Sequence, residues 1–495
     1  MLYKKIYDIL KLVFLYEGGK MEKIKKQYGL WTGIAMVIGI VIGSGVFVKA
    51  DDVLKQSGGD LKLSLLAWLV GGLIMVASGF CFAVFATKVT KYNGVIDYVE
   101  VSTNKKVGYG LGWLISTFYY PIISSIVTLL AGNYFFSLLG LEVGMISWQN
   151  ILFSVVVITA MTVMNYLSPM LSSKFQISTT IIKLIPIGVV AIIGLFAGLI
   201  VGGDAGILNA FKDSATGDAN NAIVKNFGEA VKITAFAYEG WVCATAINAE
   251  LKDSKRNLPK ALVGGTIAVL VIYLIYYISL SSILGNQGTV VAGDNAPIQA
   301  LSKILGSAGG VVFTVFIMIS CLGTVNGLII SSCRGMYTLS CRGHGPAPEK
   351  FSKLGKNQSV SLYSTIYGYA FILIMLAVWC LAIKGVWIFS YLGGMDSTVC
   401  ALIYGVYITM YVHMMVKFKD LDVFRRFVMP IIAILGSLFF IICGSGIYQI
   451  IFAKDISTFI SFLVFMGLFV IFMFPCLFFY RKENENKLKE ESDVE

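Results

Sequence analysis

Residues 30–48 read LWTGIAMVIGIVIGSGVFV, an uncharged stretch with about the length that crosses a lipid bilayer. Four glycines lie within it: Gly33, Gly39, Gly43 and Gly45. Glycines in a membrane helix often serve close packing between helices. Glycine also weakens a helix, so the same residues are consistent with a break in the span.

A second stretch, EAVKITAFAYEGWVCATAINA at residues 229–249, carries Glu239 and Gly240 near its middle. The two stretches are the first and the sixth apolar spans along the chain. If spans one to five and six to ten are copies of one unit, the two interruptions occupy equivalent positions. An odd number of spans per copy gives the copies opposite orientations. This pattern indicates an inverted-repeat transporter with its site between discontinuous helices.

The composition is that of a membrane protein. Of 495 residues, 57% are hydrophobic and 14% are charged, against about 45–50% apolar and about 25% charged in soluble proteins. A soluble enzyme, a disordered chain and a small disulfide scaffold are therefore excluded. We predict an all-α integral membrane protein with twelve transmembrane helices, a 5+5 inverted repeat followed by two C-terminal helices. The predicted spans are 30–48, 63–86, 111–140, 151–167, 177–201, 229–249, 260–284, 308–334, 363–383, 386–414, 428–452 and 456–480.

Lysine and arginine are distributed unequally between the loops. The loops and termini predicted on the same side of the membrane as the N-terminus hold 28 of the 39 basic residues, and the loops predicted on the opposite side of the membrane hold 8. This positive-inside pattern places both termini in the cytoplasm of a multi-pass cell-membrane protein and explains the net charge without nucleic acid. The predicted segments are a cytoplasmic start at 1–29, the first repeat at 30–201, an extracellular loop at 202–228, the second repeat at 229–414, two helices at 428–480 and a cytoplasmic tail at 481–495.

The nine cysteines and two histidines do not predict a metal site. Eight of the cysteines fall within predicted spans, and a structural zinc ion needs about four converging ligands. We interpret the cysteines as small apolar packing residues and predict no cofactor. Residues 1–20 allow two interpretations: an amphipathic segment on the cytoplasmic membrane surface, or a translation start at Met21.

A broken helix in a membrane leaves backbone groups that only protein or a water-filled cavity can satisfy. The N-terminus of a half-helix carries partial positive charge and free N–H donors, which suit a carboxylate. Carbonyl groups at the opposing end suit an ammonium group. A site that offers both is complementary to a zwitterion such as an α-amino acid.

Lys183 is a charged residue within a predicted span. It follows Lys174 by nine residues, so it lies about 13 Å into a hydrocarbon layer of about 30 Å. A lysine at that depth is costly and marks a functional site that faces the bundle interior. The alternative is a lysine whose long side chain reaches the cytoplasmic interface.

The chain resembles the amino acid–polyamine–organocation superfamily, and within it the L-type amino acid transporters and bacterial serine/threonine exchangers. The resemblance covers about residues 28–480. It implies a leucine-transporter-like fold and a sodium-independent transporter, not an enzyme, that moves neutral amino acids by alternating access, through exchange or with proton assistance. The motifs are GIVIGSGVF (39–47), KFQISTTIIKLIP (174–186), FAYEGW (236–241), ELKDSKRNLPKALVGG (250–265) and SCLGTVNGLIISSCRG (320–335).

The resemblance also implies a set of substrate-binding residues. Backbone N–H groups of Ser44 and Gly45 would hold the substrate carboxylate, and backbone carbonyls from both interrupted spans would hold its ammonium group. Phe236 resembles the aromatic gate of these transporters; the alternative is a core aromatic. The implied substrate-binding residues are Ile40, Val41, Gly43, Ser44, Gly45, Phe236, Ala237 and Glu239.

The resemblance further places Lys183 where sodium-coupled relatives bind an ion, with a hydroxyl of Ser320 or Thr324 beside it. Two departures from the family pattern affect other inferences. Val84 replaces a family glutamate, which leaves proton coupling open. The segment 141–150 has no cysteine, so no disulfide-linked subunit is expected.

Two alternative functions remain at this point. Glu239 can act as a counter-charge, which would make the cargo a cationic amino acid or a polyamine; otherwise it only caps the broken helix. A membrane-embedded enzyme is the more distant alternative because it requires titratable groups that converge. Those within the predicted spans are scattered over several helices.

Overall fold

The computed structural model describes residues 30–43, 45–89, 94–200, 205–212, 226–242, 244–245, 251–354 and 361–480. The predicted terminal segments 1–29 and 481–495 lie outside the described residues, as do Ser44 and much of the predicted loop 202–228. The backbone of Ile40 is described, but its side chain is not.

The regular elements of the described ranges are helices. The first half of the chain forms α1 (Leu30–Val41), α2 (Gly45–Val48), α3 (Ala50–Gln56), α4 (Leu61–Lys88), α5 (Val95–Ser102), α6 (Lys105–Leu138), α7 (Trp148–Leu167), α8 (Pro169–Leu195), α9 (Ala197–Ile200) and α10 (Ile207–Lys212). The second half forms α11 (Phe227–Ala237), α12 (Ser254–Leu284), α13 (Asn286–Ala292), α14 (Ala296–Ser340), α15 (Pro348–Phe351), α16 (Leu362–Ile383), α17 (Met395–Lys417), α18 (Phe424–Gly444) and α19 (Ser457–Phe479).

Ten helices in the described part of the chain are long and apolar enough to cross a membrane, and each overlaps a predicted span. The other two predicted spans are the first and the sixth, and the structure divides both into pieces. Their longest pieces, α1 and α11, have 12 and 11 residues. At about 1.5 Å per residue neither crosses a hydrocarbon layer of about 30 Å alone.

Several helix ends differ from the predicted spans. The predicted span 308–334 is part of the longer helix α14, which bends at Gly306, where φ is 70°. The predicted span 386–414 is divided into a 3-10 turn at Trp387–Leu392 and α17. The predicted start at 308 lies two residues after the bend at Gly306, whereas the predicted start at 386 precedes α17 by nine residues because hydropathy does not distinguish the apolar 3-10 turn from the helix that follows it.

The two interrupted helices lie inside the bundle. Helix α1 packs against α8 and α12, and α11 packs against α4 and α17. By contrast α19 has the highest hydropathy of the ten long helices, yet only 11% of its apolar window is buried. Such a helix is suited to face lipid, whereas α1 and α11 are enclosed by other helices, as backbone groups without helical partners require.

The contact between α8 and α12 provides a stability test with a matched control. A Cβ atom on Gly194 would lie 2.4 Å from the Ser279 Cα of α12, whereas one on Gly188 would meet open space. We expect Gly194→Ala to lower the free energy of unfolding by about 1–3 kcal/mol through overpacking. Gly188→Ala should be neutral or slightly stabilising because alanine favours a helix.

The measurement is thermal unfolding of both variants in the same detergent, followed by tryptophan fluorescence. Equal midpoint temperatures for the two variants would contradict the close approach of α8 and α12.

Candidate functional site

The first interruption lies between α1 and α2. The N–H of Ile42 still donates to Ile38 at 2.8 Å, but that of Gly43 donates to the Val41 carbonyl at 2.7 Å. A bond between residues two apart does not occur in an α-helix, so the regular ladder stops here. Helical bonding resumes at Gly45 and continues from α2 into α3, which together form a second half-helix.

The second interruption follows α11, which ends at Ala237. Residues 238–240 form a turn, and short 3-10 turns follow at 241–242 and 244–245. Gly240 has a φ of 101°, a backbone conformation that glycine adopts at little cost and other residues rarely adopt. The sequence analysis predicted a helix break at the Glu239–Gly240 pair, and the structure has a turn at these two residues.

The two interruptions contact each other directly. A Cβ atom on Gly45 would lie 2.6 Å from the Ala237 Cα, so residue 45 must be a glycine for the backbones to approach this closely. The hydroxyl of the buried Tyr273, on α12, lies 3.0 Å from the carbonyl oxygens of both Val41 and Ala237. Its single proton is shared between the last carbonyls of α1 and α11, and it ties the two helix ends together.

Lys183 is fully buried on α8 and lies beside the first interruption. Its ammonium group donates hydrogen bonds to the carbonyl of Gly39 and to the hydroxyl of Thr324, both at 3.1 Å. One side chain thus joins α8 to the end of α1 and to α14. Among the described residues no carboxylate pairs with it.

The two hydroxyls that the sequence offered for Lys183 are placed differently. The Thr324 hydroxyl accepts a hydrogen bond from the ammonium group and donates one to the Ser320 carbonyl, both at 3.1 Å. The hydroxyl of Ser320 instead lies 3.5 Å from the carbonyl of Gly43, within the interruption. Thr324 therefore contacts Lys183, and Ser320 contacts the broken segment of α1.

Glu239 is only 8% exposed, and the nearest donors to its carboxylate are the Tyr119 hydroxyl and the Gly240 backbone N–H, neither of which meets the strict geometry of a hydrogen bond. Tyr119 on α6 and Cys400 and Tyr404 on α17 lie close enough to interact with it electrostatically. In the described structure no ion pair joins Glu239 to the buried Lys183.

Phe236, one residue before the end of α11, helps to line a cavity of about 370 Å³. The ammonium group of Lys49 lies 5.4 Å from the centre of its ring, within the range of a cation–π contact. We call this space the charged cavity. Its charged lining residues are Lys49, Asp51, Asp52, Lys55, Asp294 and Asp396.

The family model for amino acid permeases matches residues 28–487. The chain belongs to the amino acid permease family. This confirms the family that the motifs indicated, and the permease is a multi-pass membrane protein and not an enzyme.

Individual relatives are transporters of amino acids. The permease is 32% identical over 355 residues to the serine/threonine exchanger SteT of Bacillus subtilis (strain 168), covering 72% of this chain and 77% of that protein. It is 23% identical to the cystine/glutamate transporter of Homo sapiens, over 72% of this chain and 69% of the relative. It is 25% identical to the large neutral amino acids transporter small subunit 2 of Homo sapiens, over 67% and 60%.

Two features of the permease site were not predicted from the sequence: the Tyr273 bridge and the charged cavity. Tyr273 is one of three tyrosines in the seventh span, and a buried hydroxyl in a membrane needs a partner. That signal was present, but it did not say which tyrosine reaches the interruptions. The charged cavity gave no sequence signal because its acids come from three distant parts of the chain.

The hydrogen bonds of the Tyr273 hydroxyl to both interruptions predict that removal of this one oxygen atom lowers the stability of the permease. Tyr273→Phe removes the hydroxyl that serves two buried carbonyls, and we expect it to lower the free energy of unfolding by about 1–3 kcal/mol. Tyr276→Phe is the matched control because the equally buried Tyr276 hydroxyl has no hydrogen-bond partner in the described structure. It should be neutral or stabilising.

Both variants are compared by thermal unfolding and by hydrogen exchange of the segments around residues 41–43 and 237–240. Faster exchange in the Tyr276→Phe variant than in Tyr273→Phe would contradict the bridge.

Proposed function

We propose that the permease is a sodium-independent secondary transporter that carries neutral amino acids by alternating access, as an exchanger or with proton assistance. The observation that carries this proposal is the contact of the two interruptions, at Gly45 and Ala237. The proposed arrangement has twelve spans, with inverted repeats at 30–201 and 229–414, two further spans at 428–480, and both termini in the cytoplasm. The positive-inside pattern supports that orientation.

The chemistry of the contact suits both ends of an α-amino acid. A half-helix begins at Gly45, and the first backbone N–H groups of a helix have no partner within it and suit a carboxylate. We propose that the N–H groups of Ser44 and Gly45 bind the substrate carboxylate. Helices α1 and α11 both end nearby, and helix C-termini attract a positive charge. We assign the ammonium group to the carbonyls of Ile40, Phe236 and Glu239, while the carbonyls of Val41 and Ala237 accept the Tyr273 hydroxyl until substrate competes for them.

Lys183 supports independence from sodium. Its ammonium group is a fixed cation that already binds a carbonyl of α1 and a hydroxyl of α14. Backbone carbonyls and hydroxyls are the ligands that a sodium ion would use, as seen in transporters with broken helices. We propose that Lys183 stands in place of such an ion, with Thr324 as its direct partner and Ser320 as a support for Gly43.

The packing supports a moving unit made of the first, second, sixth and seventh spans. Helix α12 packs extensively against α4 and α1, and α11 packs against α4. We propose that this unit rocks against the remaining helices and that Phe236 closes the site. The segment 141–150 carries no cysteine, and we propose that no disulfide-linked subunit is attached there.

The direct test is exchange in proteoliposomes without sodium. Vesicles with purified permease are preloaded with mixed neutral amino acids, and uptake of labelled serine, alanine, leucine, lysine and glutamate is followed. Uptake of a neutral amino acid that depends on internal amino acid is the expected result. No uptake of any of the five by folded protein would contradict the proposal.

Lys183→Ala should reduce that exchange about tenfold or more, because it removes two hydrogen bonds from a charged donor beside the interruption, each worth about 1.5–3 kcal/mol. Lys303→Ala is the control: its ammonium group donates to the Ile283 carbonyl at 3.0 Å, away from the interruptions. Initial rates are normalised to the amount of folded protein in the vesicles. Equal rates for the two variants would remove Lys183 from the mechanism.

A second candidate cargo is a cationic amino acid or a polyamine, and it is favoured by the buried carboxylate of Glu239, which has no ion-pair partner among the described residues. If Glu239 is a counter-charge, Glu239→Gln should lower lysine uptake at least tenfold relative to leucine uptake, because the amide keeps the shape and loses the charge. Competition between the two labelled amino acids measures this ratio. An unchanged ratio would exclude the cationic cargo and leave the neutral one.

A further inference from the structure

Three helices share a cluster of polar side chains that the proposed function does not use. Two of its members, Asn165 on α7 and Asn326 on α14, are at most 5% exposed. The other two, Ser172 and Gln176, lie on α8. Polar side chains within a membrane bundle are costly and mark a function or a specific partner. We call these four residues the Asn326 cluster.

Asn326 is the centre of this cluster. Its side-chain NH₂ group donates to Oε1 of Gln176 at 3.0 Å and to the backbone carbonyl of Ser172 at 3.3 Å. Its side-chain oxygen accepts a hydrogen bond from the Asn165 amide at 3.1 Å. The Ser172 hydroxyl in turn donates to the side-chain oxygen of Asn165. Both donors and the acceptor of Asn326 are therefore used, and one residue of α14 binds α7 and α8 together.

Helix α8 lies very close to α14 beside this cluster. A Cβ atom on Gly323 of α14 would lie 2.7 Å from the Cβ atom of Thr179 and 3.2 Å from Cε of Lys183. A Cβ atom on Gly327, one helical turn further along, would meet Gln176 only at 3.5 Å, an ordinary van der Waals distance. The stem of Lys183 therefore packs directly against the backbone of α14 at Gly323.

Lys183 belongs to the same face of α8 as the cluster. Four polar residues of α8 follow one another at intervals of four, three and four: Ser172, Gln176, Thr179 and Lys183. This spacing places them along one face of a helix. The first two bind Asn326. Lys183 is thus two helical turns beyond the point at which Asn326 fastens α8 to α14.

The Asn326 cluster joins helices of the part that we propose to stay fixed. The proposed moving unit consists of the first, second, sixth and seventh spans, whereas α7, α8 and α14 belong to the helices against which it rocks. Lys183 bonds to Thr324 within the fixed part and to the Gly39 carbonyl of α1 across the boundary. A constant contact between α8 and α14 preserves the first bond while the second breaks and forms again.

We propose that Asn326 is a positioning residue for Lys183: its amide holds α8 against α14 and α7, and so places the ammonium group between Thr324 and Gly39. This inference rests on the proposed function for the role of Lys183 in exchange. Both bonds of the ammonium group are 3.1 Å long. A slide of α8 by about 0.5 Å would take either bond beyond the range of a hydrogen bond.

A double-mutant cycle separates positioning from a role in the fold alone. Sodium-free exchange of a neutral amino acid is measured for wild type, Asn326→Ala, Lys183→Ala and the double variant, with initial rates normalised to folded protein. We expect Asn326→Ala to lower the rate about tenfold in the wild-type background and less than about twofold in the Lys183→Ala background, because there is then no ammonium group to position. Equal fold losses in the two backgrounds would overturn the proposal, as would a normal rate for Asn326→Ala alone.

Asn150 provides a matched control for the loss of a buried amide. It is fully buried near the other end of α7, fifteen residues from Asn165 and about 22 Å along the helix. Its amide donates to the carbonyls of Leu129 and Met145 at 3.1 and 2.8 Å. We expect Asn150→Ala and Asn326→Ala both to lower the midpoint of thermal unfolding, and only the latter to lower exchange per folded protein. Equal losses of exchange would assign Asn326 to the fold alone.

Two glycine variants test the helix contact without removing the amide. Gly323→Ala places a methyl group against Thr179 and Lys183, and we expect it to lower exchange about tenfold. Gly327→Ala adds the same group at an ordinary distance and should keep exchange within about twofold of wild type. Equal rates for these two variants would contradict the close contact that positions Lys183.

The outcomes distinguish this inference from the proposed function. If the wild-type permease exchanges no amino acid, the proposed function fails. If it exchanges and Lys183→Ala lowers the rate, but Asn326→Ala acts equally in both backgrounds, only the positioning role of Asn326 fails.

Discussion

The approach of Gly45 to the backbone of Ala237 is the constraint on which the rest of the site depends. A side chain at position 45 would collide with the backbone of Ala237, so residue 45 must be glycine. The contact also requires a helix break in each of the two spans that meet there. The breaks in turn expose carbonyl groups that need donors inside a membrane. Tyr273 supplies one donor to Val41 and Ala237, and Lys183 supplies another to Gly39.

The local pattern of the chain was sufficient to predict these breaks. Four glycines in the first span and the Glu239–Gly240 pair in the sixth identified both, because backbone preference is a local property. Lys183 was identified from its depth in an apolar span, since an isolated charge in hydrocarbon needs a function or a partner. The position of Thr324 beside it came from a family resemblance, and the hydrogen bond between them agrees with that position.

Features that depend on the meeting of distant segments were beyond the sequence. The bridge by Tyr273 depends on how α12 is rotated against α1 and α11, and nothing local distinguishes this tyrosine from Tyr276. The charged cavity joins residues near 50, 294 and 396, so its excess of carboxylates exists only in the folded chain. The C-terminal end of α14, beyond residue 334, was missed because hydropathy follows only the apolar part of a helix and falls where polar residues continue it.

The most direct test of the account is a cryo-electron microscopy structure of the permease in nanodiscs with a saturating concentration of a transported amino acid. The account predicts density for the amino acid at the contact of the two interruptions, with its carboxylate toward Gly45 and its ammonium group toward the ends of α1 and α11. An amino acid bound elsewhere, with residues 41–45 and 236–239 in contact only with protein, would contradict it.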